Sequence, residues 1–174
     1  MHALSKSESS EIFDRTRLLI DLDEATDPNS PASSLLVLGL PLPGESRATF
    51  STAEIEELVE HLRDRLADLV GNNGSVYRTR ATELCAFIDG RLLPTDDLLQ
   101  AIRTSLDLEC EPLAVRVSLG CVSLPTEASE PTAALALADE RARAMKSAAT
   151  NGAAPNGPVI LRMPSARTPR SGAA

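Results

Sequence analysis

The chain has 174 residues, 43% of them hydrophobic, which suits one well-packed domain and is short for two. A formal net charge of −8 repels phosphate backbones and argues against nucleic-acid binding through bulk electrostatics. With only 2% aromatic residues and no Trp, the core must be built from Leu, Val, Ile and Ala, and base-stacking platforms are scarce.

Met1 to Ser10 is polar and Ser-rich and reads as a flexible N-terminus over 1–10. From Ile12, the spacing of Leu18, Leu19 and Leu22 predicts an amphipathic helix, closed by the turn cluster Asp27-Pro28-Asn29-Ser30-Pro31. Leu35 to Leu40 is a continuous apolar run of the kind a buried central strand carries. Ser51 or Thr52 then caps a helix whose inward residues run Ile55, Leu58, Val59, Leu62, Leu66, Leu69 and Val70, and Gly71-Asn72-Asn73-Gly74 stops it.

Ser75 to Arg80 and Leu84 to Ile88 predict a β-hairpin, with Asp89-Gly90 as a turn after it. Pro94 opens another helix through Leu106. Leu113 to Val122 alternates as a strand, Glu130 to Ala148 is an Ala-rich helix, and Val159-Ile160-Leu161 forms a late edge strand. The tail 164–174 has no means of packing and is expected to be disordered.

The expected fold is therefore α+β, a ferredoxin-like βαββαβ core with an N-terminal helix and an extra C-terminal edge strand. Its helices are expected on one face of an antiparallel sheet. No stretch approaches the ~18 apolar residues that span a bilayer, and no basic-then-apolar leader precedes the first helix, so a cytoplasmic protein without membrane insertion is expected. Cys85, Cys110 and Cys121 lack metal-site spacing and read as buried reduced thiols.

Several patterns in this order resemble one family. Val115-Arg116-Val117-Ser118-Leu119-Gly120 is similar to a "vtvSiG" strand. Ala138-Asp139, followed seven residues later by Lys146, is similar to an "AD-x-ALY-x-AK" helix, and Asp14-Arg15 with Leu18 and Leu22 to an "NRRxF…L" opening. Together these resemble the GGDEF domain of diguanylate cyclases over residues 11–163.

The resemblance implies a metal-dependent cyclase that joins two GTP molecules, with Mg²⁺ held by an aspartate at the end of the first strand and by acids in the hairpin turn. In this sequence Gly39 stands in the aspartate's place, and Arg80-Ala81-Thr82-Glu83-Leu84 replaces Gly-Gly-Asp-Glu-Phe. The loop that would read guanine is replaced by Leu42 to Phe50, and the product-inhibition motif falls on Gly71 to Gly74 and is gone. The expectation is thus of no catalytic residue, no metal and no cofactor.

What survives as a candidate ligand set is Arg78, Arg80, Glu83 and Lys146. In a regular strand Arg78 and Arg80 would share a side and form a small anion-attracting patch with Arg47 or Lys146; the plainer reading pairs them with local acids. Lys146 near a helix C-terminus and Glu83 in a turn also suit solvated charges. The leading expectation is a catalytically inactive regulatory module of bacterial signalling that binds an unidentified protein partner, through the first helix. A sensor for GTP or a cyclic dinucleotide is the alternative, and a residual cyclase a third.

Overall fold

An uninterrupted apolar strand needs cover on both faces, and β1 (Ser33–Gly39) has it, with every residue from Ser33 to Leu38 buried. The computed structural model describes residues 6–40, 51–90, 113–150 and 159–163. In chain order these form α1 (Lys6–Ala25), β1, α2 (Thr52–Val70), a short 3₁₀ turn, β2 (Gly74–Arg80), β3 (Glu83–Asp89), β4 (Leu113–Leu124), α3 (Pro131–Thr150) and β5 (Val159–Met163). The sheet is antiparallel in the order β2-β3-β1-β4-β5, which puts β1 at its centre and β5 at an edge. The expected helix from Pro94 to Leu106, the loop 42–50, Cys110 and the tail 164–174 lie outside the described residues.

Two expectations are corrected. Helices cover both faces of the sheet rather than one: Leu36 and Leu38 pack against α2 through Leu58, Val59, Leu62 and Leu66, whereas Leu35 and Val37 face Leu18 and Leu22 of α1 and Ala134 and Ala138 of α3. The period-two alternation of a strand sends successive side chains to opposite faces, so a strand apolar at every position requires both layers. The first helix also begins at Lys6, not Ile12.

Local chemistry explains the element ends. Ser51 is the N-cap of α2, its hydroxyl accepting from Glu54 N–H at 3.3 Å while Glu54 Oε2 accepts from Ser51 N–H at 2.8 Å, a reciprocal capping box. Gly71, at φ 57°, ends the helix in the left-handed region that glycine tolerates. After α1, Asn29 N–H donates to Asp27 Oδ1 at 2.8 Å and Ser30 N–H to Asp27 O at 3.0 Å, the tight turn expected of that cluster.

β4 and α3 are tied by Glu127, which accepts from Ser123 N–H at 2.7 Å and from Arg141 Nη2 at 2.5 Å, while Arg141 Nη1 reaches the Cys121 carbonyl. The Arg141 guanidinium, with the Ser123 amide, holds the Glu127 carboxyl down to about 2. Because this group is depressed in the folded state, its contribution is present above the ordinary carboxylate range and is lost as pH falls toward 2. Urea midpoints measured between pH ~5 and ~2 are expected to fall less steeply for Glu127→Gln than for the parent chain.

Candidate functional site

Hairpin β2–β3 turns through Ala81 and Thr82 and places its first outgoing residue, Glu83, directly opposite Gly39 at the end of the central strand. On the other side Gly39 faces Ser118 of β4. Leu40 N–H donates to the Thr82 carbonyl at 2.9 Å, stitching the strand end to the turn. Residues far apart in sequence are thus gathered at one end of the sheet.

The Glu83 carboxylate, mostly buried, is fully engaged there. Thr79 Oγ1 donates to Glu83 Oε1 at 2.6 Å and Arg80 Nη1 to Glu83 Oε2 at 2.5 Å. The same Arg80 nitrogen lies 3.8 Å from Asp139 Oδ2 on α3, which Arg143 Nη2 approaches to 3.6 Å. Arg80 therefore serves as a built-in cation between two carboxylates, one from the hairpin and one from α3.

Gly39 contributes no carboxylate, and its carbonyl accepts from Ser118 Oγ at 3.1 Å. A Cβ built at residue 39 would lie 2.7 Å from that hydroxyl, so an aspartate there would force Ser118 to rotate away. Hard divalent cations favour several oxygen ligands, and the donors that the described residues offer beside Gly39 do not fit a pair of them. Gly39 has only a hydrogen-bonded carbonyl to offer, and both oxygens of Glu83 are occupied.

Arg78 sits elsewhere. A register shift between Arg78 and Arg80 interrupts the β2–β3 ladder, and such a bulge inserts a residue that re-aims the side chains after it. The expected pairing of Arg78 and Arg80 on one side is therefore corrected. Arg78, only 4% exposed, turns toward α2 and grips Glu56 with both terminal nitrogens, at 2.5 and 2.7 Å, with Glu60 at 3.5 Å and the Ala81 carbonyl at 3.0 Å. Its backbone N–H, on an edge strand, donates to Asp14 of α1 at 2.8 Å. Arg80 instead faces α3. Arg80 thus pairs with a local acid, Glu83, whereas the acids that answer Arg78 come from α2.

Lys146 falls in α3, and its side chain lies outside the described residues, as does Arg47. Cys85 is buried beneath Thr79, its thiol pushed up to about 12 by desolvation, and Cys121 is half-buried with a thiol at about 11 for the same reason. Neither thiol is an available nucleophile at neutral pH. The partners of the arginines, Glu56 and Asp139, went unrecognised as such in the sequence because pairing across elements has no local signature.

The arrangement defines an α+β palm in which a β-hairpin is presented beside the end of the central strand. No protein-family model and no curated protein matches the chain. Solved structures do. A sensory box/GGDEF family protein from Caulobacter crescentus aligns with a TM-score of 0.63 at 21% identity, over 77% of this chain and 92% of that one. The FimX GGDEF domain from Pseudomonas aeruginosa gives 0.55 at 16%, over 72% and 83%. The GGDEF domain of DgcB from Caulobacter crescentus, solved in complex with c-di-GMP, gives 0.52 at 14%, over 87% and 93%. This chain is a GGDEF-like domain in its fold.

Proposed function

We propose that this chain is a catalytically inactive GGDEF-like domain that serves bacterial signalling as a regulatory, protein-binding module. The observation that carries the reading is the Arg80 guanidinium seated between Glu83 and Asp139, beside a glycine where the resemblance calls for a metal-binding aspartate. A positive side chain in that place satisfies the carboxylates internally and repels a second cation. With the charge balanced inside the protein, the hairpin keeps its shape without metal, and the fold is left as a surface for a partner.

The direct test is incubation of the full chain with GTP and Mg²⁺ or Mn²⁺, with nucleotides separated by chromatography. Unchanged GTP is the expected outcome. Cyclic dinucleotide that disappears in Glu83→Gln would overturn the proposal. For the partner surface, deletion of α1 is unsuitable, because Leu18 and Leu22 are fully buried in the core. Substitution at exposed α1 positions such as Arg15 and Ile20 leaves that packing in place and is expected to weaken capture of the partner.

A further inference from the structure

A second polar concavity lies at the opposite end of the sheet from the hairpin turn. It is a groove of about 580 Å³ between the C-terminal half of α1 and the strand ends around Ser33, Gly74 and Asp89, a volume within the range of small-molecule sites. Its charge is one-sided: Asp21, Glu24 and Asp89 line it against Arg17 alone. Asp21 is already satisfied, 3.4 Å from Arg17 Nε and accepting from the Tyr77 hydroxyl. Glu24 and Asp89 are exposed, and their carboxylates have no hydrogen bond or ion pair among the described residues.

A further feature points to a ligand. Ser33 lines the groove and is only 3% exposed, yet its hydroxyl has no hydrogen-bond partner among the described residues. It alternates with Leu35 and Val37, which face α1, so its side chain belongs to the face on which the groove opens. A buried hydroxyl left unpaired is unfavourable, and a donor arriving from the groove would recover part of that cost. Such a donor must be compact, because the hydroxyl lies deep, and positive, because the rim is acidic. Ala25, Pro31 and Phe87 add an apolar wall suited to a methylene chain and, at Phe87, to a cation over a ring.

We infer that this groove binds an aliphatic polyamine. One primary ammonium donates to Ser33 Oγ, the methylene stem lies along the apolar wall, and the remaining ammonium groups pair with Glu24 and Asp89.

Titration calorimetry of the full chain with spermidine tests this. Saturable binding at one site is expected, weakened by at least about tenfold in Glu24→Gln/Asp89→Asn, since both side chains are exposed and their neutral isosteres leave the fold intact. Ser33→Ala is expected to weaken binding without lowering the melting temperature of the free protein. The control is Glu57→Gln/Asp64→Asn, which removes the same charge from exposed positions on α2 outside the groove and should leave affinity unchanged. No saturable heat at millimolar spermidine would overturn the inference. So would equal weakening in the control, because the cation would then be answering only the net charge of −8.

Discussion

Gly120→Ala is expected to destabilise the protein by about 3 kcal/mol or more, because the added methyl group would meet helix backbone. Gly120 lies on β4 where α3 crosses it. A Cβ there would sit 1.9 Å from the Ala138 carbonyl oxygen, 2.8 Å from its carbon and 2.9 Å from Ala142 N. All three atoms belong to helix backbone, which cannot rotate aside as a side chain would. Relief requires α3 to move off the sheet as a unit, and Ala134 and Ala138, both fully buried, would leave their contacts with Leu35 and Val122.

Overpacking of a core usually costs ~1–3 kcal/mol when side chains can adjust; here they are not the obstacle, so the upper end is the starting point. The measurement is a urea melt. A midpoint within experimental scatter of the parent chain would show that α3 does not approach β4 this closely. Gly120 and the small residues Ala138 and Ala142 form one close-contact seam, which gives a packing reason for the serine-x-glycine strand and the alanine-aspartate helix that occur together in this sequence.

The features legible in the sequence were those resting on local chemistry. The apolar run at Leu35–Leu40 requires burial, Ser51 and Glu54 have the spacing of a reciprocal cap, and Gly71 to Gly74 cannot continue a helix. Where the reading failed, the deciding physics was not local. The β-bulge between Arg78 and Arg80 has no residue signature, yet it sends two arginines that would share a face in a regular strand to opposite layers. Side-chain alternation in β1 demands helices on both faces, but which helix takes which face depends on chain crossings. The charge balance of Glu83 and Asp139 by Arg80 joins a hairpin to a helix more than fifty residues away, a distance over which sequence spacing carries no geometric information.

The buried Arg78 is the other place where a single change is expected to matter, and the larger loss should come from the partner that looks less important. Arg78 is 4% exposed while Glu56 is 46% exposed, so the two halves of the pair have unequal alternatives. Remove the arginine, as in Arg78→Met, and Glu56 relaxes into water while the methionine stem keeps much of the packing. The expected cost is about 1 kcal/mol, mostly the lost bidentate bond. Remove the glutamate, as in Glu56→Ala, and a guanidinium stays in a low-dielectric layer without its bidentate acceptor, the Ala81 carbonyl and the more distant Glu60 answering it less well.

Breaking a fully buried pair costs ~3–5 kcal/mol; the partial exposure of Glu56 and the residual acceptors reduce the expectation to about 2 kcal/mol. In the double variant the stranded charge no longer exists, so its cost should fall below the sum of the singles. The pH dependence has a fixed sign. The Arg78 hydrogen bonds hold the Glu56 carboxyl below the ordinary range, so its contribution is complete above that range and disappears as acid protonates it. Urea melts of the four proteins at neutral pH, repeated near pH ~3, test both statements. Glu56→Ala no more harmful than Arg78→Met at neutral pH would mean that the guanidinium reaches water, and the account of a buried cation at the root of the hairpin would fall.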